Sequence, residues 1–266
     1  MEYLTLNNGV KMPILGLGTW DLRGSSGYKA ILSALSCGYR LIDTAKMYAN
    51  EEIVGKACKD SKIAREKLFI TTKFSGSYAS YEGVKRGIDE SISLFNDTYI
   101  DLALIHEPYG DIIGMYEALK KAFDDGKVRA VGISNFDESR YLSFINHCGL
   151  IPAVNQIESH VYFSQLDFKQ VLNGHGTQMQ AWASFTEGRR NVFSDPVLLK
   201  IADKYNKTVA QIILRYQIEH GIAVIPKSGN EKRQQENLNI FDFSLSKEDK
   251  AQIALLDRKK SLFNWY

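Results

Sequence analysis

Two kinds of apolar spacing alternate along the chain. Short, nearly continuous apolar runs fall around Ile14 to Leu17 and over 39–43, 68–73, 100–106, 129–134, 153–157, 178–183 and 222–225. Between them lie segments whose apolar residues recur every third or fourth position: 26–37, 50–60, 80–95, 112–125, 137–147, 163–173 and 208–220. A strand apolar on both faces is covered on both faces, as in a parallel sheet wrapped by helices. Eight such runs alternate with helices, and no Pro-, Gly- or Ser-rich linker divides the chain. The pattern predicts an α/β fold, a (β/α)8 TIM barrel with right-handed crossovers, occupying residues 1–266 as a single domain.

Three segments stand outside that count. Tyr3 to Leu6 and Val10 to Met12 flank Asn7-Asn8-Gly9 and predict a β-hairpin on an Asn-Gly turn. Ser194 to Tyr205 predicts an extra helix outside the barrel, capped by Ser194 or Asp195 with Pro196 in its first turn. Ser246-Lys247-Glu248-Asp249 has the spacing of a capping box and opens a second extra helix running to Leu256.

In a parallel barrel the chemistry collects where strands end and loops begin. Three successive strand candidates end on polar groups: Asp43 (with Tyr48 in the loop behind it), Lys73 and His106. Asn50-Glu51-Glu52 then reads as an N-cap with acids in the first helical turn. A free phenol has a pKa near about 10, so a tyrosine acid must be tuned. The Lys73 ammonium would favour the phenolate, and Asp43 would hold that ammonium charged and in place. A neutral His106 can donate to a carbonyl oxygen beside Tyr48. Each residue also has a plainer reading: Asp43 and Lys73 as a buried ion pair, Tyr48 as packing, His106 as a satisfied core histidine. His147, His160, His175 and His220 share no metal-ligand spacing, and no metal site is expected.

Further stretches carry a family resemblance. Met12-Pro13-Ile14-Leu15-Gly16-Leu17-Gly18-Thr19-Trp20, Gly38 to Glu52, Lys73 and Asp101 to Pro108 are followed in order by Gly132-Ile133-Ser134-Asn135-Phe136, Val154-Asn155-Gln156-Ile157-Glu158 and Ile225-Pro226-Lys227-Ser228. With these the chain resembles the aldo-keto reductases nearly end to end. The resemblance implies an oxidoreductase that reduces aldehydes or ketones with NADPH, Asp43, Tyr48, Lys73 and His106 forming the catalytic group and Tyr48 giving the proton. No G-x-G-x-x-G follows a strand, so no Rossmann site is expected; the resemblance implies instead a nicotinamide dinucleotide lying extended across the barrel's C-terminal face. Gly16 and Gly18 would let the mouth approach a ligand closely, with Gly18 and Thr19 beside the cofactor. Ser134, Asn135 and Gln156 match carboxamide-binding positions, and Trp182 matches the ring stacked on the nicotinamide. Ser184, Glu187 and Arg189 would follow the pyrophosphate, Gly188-Arg189-Arg190 suiting a clamp. Lys227, Ser228, Arg233, Glu236 and Asn237 match the adenosine-phosphate site; two cations and a hydroxyl there favour NADPH over NADH. Trp20 and Tyr109, with Phe263 and Trp265, would wall an open substrate pocket around Tyr48 and His106.

Two departures from the family pattern stand out. Ala183-Ser184-Phe185-Thr186-Glu187 replaces the commoner Tyr-Ser-Pro-Leu-Gly, and Glu107 places a carboxylate where an aromatic or neutral residue is usual. If Glu107 faces the pocket, it disfavours anionic substrates. Two other functions remain open on the residues: an NADPH-binding regulatory or sensor protein with little turnover, and a barrel lyase or isomerase using Lys73 as a Schiff base. A net charge of +2 and 44% hydrophobic residues describe an ordinary globular chain with no pull toward nucleic acid. The scattered Cys37, Cys58 and Cys148 suit a reducing compartment. The start of the chain lacks signal-peptide character and no apolar run nears spanning length, so a cytoplasmic monomer with a small-molecule carbonyl substrate is expected.

Overall fold

The chain opens with a small antiparallel hairpin, β1 (Tyr3–Thr5) and β2 (Lys11–Pro13), in a computed structural model that describes residues 2–264. Leu6 N donates to Val10 O and Gly9 N to Leu6 O, with Gly9 at φ 86°. The connection is therefore a turn followed by a left-handed glycine, not a two-residue Asn-Gly corner: only Gly9, and neither asparagine, has positive φ. Asn7, Asn8 and Gln178 tie the hairpin to the strand-start end of the barrel, through Ile151 O, Arg129 O and Thr5 O.

Eight parallel strands follow in ring order: β3 (Gly16–Gly18), β4 (Leu41–Asp43), β5 (Phe69–Phe74), β6 (Leu102–Ile105), β7 (Val131–Ser134), β8 (Val154–Glu158), β9 (Gln178–Trp182) and β10 (Ala223–Val224). The ring closes where Leu15 bridges Val224 and Val224 N donates to Ile14 O at 2.8 Å. Helices α1 (Gly24–Cys37), α2 (Glu51–Asp60), α3 (Tyr81–Phe95), α4 (Ile112–Asp124), α5 (Glu138–Ile145), α6 (Leu166–Gly174) and α8 (Val209–Glu219) connect the strands. Outside that alternation lie α7 (Pro196–Tyr205), α9 (Glu231–Leu238) and α10 (Lys247–Ala254). This is the predicted TIM barrel with its hairpin and extra helices.

Several boundaries differ from the apolar pattern for local reasons. The first strand is displaced to Gly16–Gly18, and the last shrinks to two residues because Pro226 cannot donate to a ladder. Helix α6 begins at Leu166, since Gln165 is left-handed at φ 54°. Asp195, not Ser194, caps α7, accepting from Val197 N and Leu198 N. The capping box at Ser246 is half formed: Ser246 Oγ accepts from Asp249 N, but Ser246 N donates to Tyr205 Oη while Asp249 pairs with Lys204.

The glycines of β3 serve strand closure. A Cβ on Gly16 would collide with the Leu41 side chain, and one on Gly18 would lie 2.6 Å from Ile225 O. Their role is to let β3 sit against β4 and β10, although Gly18 also faces the barrel mouth. Gly18→Ala should therefore strain the closure and destabilise the protein by about 1–3 kcal/mol, the usual range for overpacking. Urea unfolding checks this, and a midpoint equal to the parent's would mean that the seam yields.

Candidate active site

Strand β4 delivers Asp43 to the barrel mouth, and the chain then makes a 3₁₀ turn over Lys46–Tyr48 that ends at Ala49 in the left-handed region, φ 53°. This turn is braced from behind, with Lys46 Nζ 3.2 Å from Glu51 and 3.1 Å from Glu90. Glu51 in turn accepts from Thr72 Oγ1 and Ser91 Oγ. Asn50, expected to cap α2, does something else. Its backbone, at φ −134° and ψ 9°, is not in the extended geometry that aims a cap side chain at the helix amides. The buried side chain instead accepts from Thr44 Oγ1 and donates to Thr19 O and Leu22 O, clamping two loops together.

Lys73, on β5 next to β4, is fully buried. Its ammonium lies 2.5 Å from Asp43 Oδ1, 2.9 Å from Thr44 O and 3.4 Å from Tyr48 Oη. Gln156 Nε2 holds the other Asp43 oxygen at 2.8 Å and also donates to Gln180 Oε1. Burial acts to lower Lys73, but the Asp43 carboxylate and the Tyr48 oxygen together outweigh it and keep the pKa above its ordinary value. Burial likewise raises Asp43, against the pull of Lys73 and Gln156. For Tyr48, burial again exceeds the Lys73 contribution, so the phenol is held above its usual value. The expected net lowering is thus not found: in this dry corner the loss of water outweighs one nearby ammonium. At neutral pH Tyr48 carries its proton.

His106 ends β6 with its ring edge-on to Tyr48, centroids 5.7 Å apart. Burial, assisted by Lys73, pushes its pKa down to about 3. Its Nδ1 is buried without a protein partner among the described residues. An unpaired lone pair costs less there than an unpaired N–H, which leaves the proton of the neutral ring on Nε2.

These groups line a cavity of about 1000 Å³ at the strand-exit end of the barrel. Asp43, Tyr48, His106 and Trp20 line it, as do Gly18, Thr19, Ser134, Asn135, Gln156, Trp182, Ser184, Glu187, Arg189, Lys227, Ser228, Arg233, Glu236 and Asn237. Lys73 lies behind that wall, engaged by three oxygens, which does not suit a Schiff-base lysine. Tyr109 is exposed and outside the lining, because Glu107 O and Tyr109 N close a turn that carries the ring away. Arg190 borders a different cleft, and Trp265 lies outside the described residues. Asn135 joins three strand ends, donating to His106 O at 3.0 Å and accepting from Trp182 Nε1 at 2.8 Å. Phe263 packs edge-on to Trp182, centroids 5.0 Å apart, and faces the Arg189 guanidinium.

Known proteins are similar to this chain over nearly all of its length. The model of the aldo/keto reductase family fits residues 14–258. The chain belongs to the aldo/keto reductase family. It is 40% identical to glyoxal reductase of Bacillus subtilis (strain 168), over 97% of this chain and 93% of that protein. It is 37% identical to methylglyoxal reductase DkgA of Escherichia coli (strain K12), over 97% and 94%. The solved structure of MGS-M4, an aldo-keto reductase from a Medee basin deep-sea metagenome library, superposes with a TM-score of 0.95 at 37% identity, covering 98% of this chain and 97% of that one.

The loop that departs from the family's pattern follows β9. Without proline, it turns through left-handed Ala183, Thr186, Glu187, Arg190 and Asn191 together with Gly188. Thr186 Oγ1 reaches Arg189 O, and Arg189 Nη1 donates to Leu262 O, so the loop is tied to itself and to the tail. Sequence reading missed Met47, Phe193 and Thr208 in the cavity wall; exposed or helix-start residues have no periodic signature that would single them out.

A neutral buried histidine has a consequence for stability. Because folding depresses the His106 pKa from 6.5 to about 3, its contribution is fully present above pH 6.5 and is lost as pH falls toward 3. Between pH 6.5 and 4.5 this one group should remove on the order of 2 kcal/mol. In His106→Gln, the difference in chemical-denaturation stability between those two pH values should shrink by that order; an identical pH dependence would mean that His106 protonates freely.

Proposed function

We propose that the protein is an NADPH-dependent reductase of aldehydes or ketones, with the reacting carbonyl held between Tyr48 and His106. One observation carries the reading. A phenol sits 3.4 Å from an ammonium that a buried carboxylate holds, on the wall of a cavity whose far side presents two cations, Lys227 and Arg233, with no ion-pair partner among the described residues. The names of the glyoxal and methylglyoxal reductases, which this chain matches over 93% and 94% of their lengths, support carbonyl reduction.

The cavity's donors and acceptors fit a nicotinamide dinucleotide phosphate. Ser184 Oγ is buried without a partner among the described residues, on the wall of a cavity where a ligand would supply one. The Gln156 amide nitrogen is committed to Asp43 and Gln180 and the Asn135 nitrogen to His106 O, so Gln156 offers its carbonyl oxygen to a carboxamide NH₂, and Asn135 offers the lone pair that Trp182 Nε1 leaves open. Trp182 would supply the stacking face. Lys227, Ser228 and Arg233 would hold a 2′-phosphate beside the start of α9, with Glu236 and Asn237 toward the adenosine. When bound, the cofactor supplies the hydride, which no side chain can.

The chain's own residues do the rest. His106 Nε2–H donates to the substrate carbonyl oxygen and turns it toward the phenol. Tyr48, protonated at neutral pH, gives its proton to that oxygen as negative charge develops there. Lys73 stabilises the phenolate left behind, and Asp43 keeps Lys73 charged. Thr44 O, Gln156 and the Lys46 brace hold these groups in register.

Tyr48→Phe should lower carbonyl turnover by about 10²–10⁴-fold, the span of general acid catalysis, while NADPH affinity changes little. Steady-state rates within a few-fold of the parent would remove Tyr48 from the role. Arg233→Ala should weaken NADPH about ten- to a hundredfold, as expected for a charged hydrogen-bonding pair, and leave NADH nearly unaffected. Fluorescence titration of both cofactors decides this; parallel losses would detach Arg233 from the 2′-phosphate.

A further inference from the structure

We infer that Glu107 makes the substrate end of the cavity select neutral or cationic carbonyl compounds and reject those bearing a carboxylate or phosphate. The inference rests on the reading that a carbonyl is reduced between Tyr48 and His106. Glu107 directly follows His106 at the exit of β6, is half-buried, and lines the cavity. Its backbone is held from both sides: Asn135 donates to His106 O, and Tyr109 N donates to Glu107 O at 2.8 Å. Its carboxylate has no ion pair or hydrogen bond among the described residues. Burial nudges its pKa upward, and no cation offsets that effect.

The cations that could cancel this charge are occupied or distant. Lys73, on the neighbouring strand, is bound to Asp43, and Lys46 to Glu51 and Glu90. The unpaired Lys227 and Arg233 follow β10, four places from β6 around an eight-stranded ring and so on its opposite side. Arg189 follows β9 and is directed at Leu262 O and the Phe263 ring. The other charges on the wall, Asp21, Asp43, Glu187 and Glu236, are themselves acidic; Asp43 is bound by Lys73, and Glu236 lies on α9 with Arg233. The cavity is therefore polarised: cations at the side suited to an anionic cofactor, and an uncompensated carboxylate beside the reacting groups. An anionic substituent near His106 meets that carboxylate in a partly desolvated space, where like charges repel more strongly than in water.

The test uses three para-substituted benzaldehydes, with nitro, carboxylate and trimethylammonium groups, assayed with NADPH on the parent, Glu107→Gln and Glu107→Lys. Dividing each variant's kcat/KM by the parent's cancels the intrinsic reactivity of each aldehyde. The inference requires the carboxylate-to-nitro selectivity ratio to rise about tenfold in Glu107→Gln, further in Glu107→Lys, and the trimethylammonium-to-nitro ratio to fall. These changes should shrink at high salt, which a purely structural defect would not produce. Parallel changes for all three aldehydes, or unchanged ratios, overturn the inference and leave the reductase reading intact. Absence of turnover with the neutral aldehyde in the parent removes both.

Discussion

The buried Asp43–Lys73 pair is the constraint from which the rest of the mouth follows. Neither charge can stay in a dry barrel without the other, and a pair of this kind is stable only when its remaining hydrogen-bonding capacity is also met. Here it is met by Thr44 O on the lysine and Gln156 on the carboxylate. Those two partners come from the end of β4 and from β8, across the barrel. One ion pair thus ties the positions of several strand ends, and Tyr48, 3.4 Å from its lysine, opens onto the cavity.

Burial and charge oppose each other at Tyr48, and the outcome suits an acid. Had the ammonium won outright, the phenol would have ionised and lost the proton it is proposed to give. Because burial wins, the proton stays; because the ammonium remains at 3.4 Å, the phenolate is still stabilised once the proton has gone. His106 is treated oppositely. Burial and the same lysine act together to keep it neutral, so that it is a hydrogen-bond donor and not a competing cation. One buried lysine thereby pulls the pKa of both neighbours down: it opposes burial at Tyr48, whose deprotonated form is charged, and reinforces it at His106, whose deprotonated form is neutral.

The barrel was legible because both-face apolar strands such as Leu102–Ile105 leave few alternatives, and Asp43, Lys73 and His106 were legible because they interrupt such runs at their ends. What could not be read was whatever depended on where a loop turns. Asn50 had the right identity for a cap but the wrong backbone geometry, and became a clamp between loops instead. Tyr109 had the right neighbourhood but was turned outward. Gly18 was legible as a close approach, yet the thing approached includes the Ile225 carbonyl of the closing strand. Phe263 was legible as an aromatic that could wall the pocket; it lines the cavity and also packs the tail against Trp182.

Glu158 shows why a strand-end acid alone decides nothing. It ends β8 as Asp43 ends β4, and it is as deeply buried. Yet its oxygens accept from Ser261 Oγ and Leu262 N of the tail, and His160 Nε2 lies 3.0 Å away. Those contacts hold the tail that carries Phe263 against Trp182, while Arg189 grips the same tail from the loop after β9. Glu158 therefore shapes the cavity without entering it: it does not line the wall. The same carboxylate, delivered by the same kind of strand end, becomes the holder of a buried ammonium or a tail anchor according to its partners. At Asp43 the partner is an ammonium within reach of a phenol that faces the cavity, and that third group makes the difference.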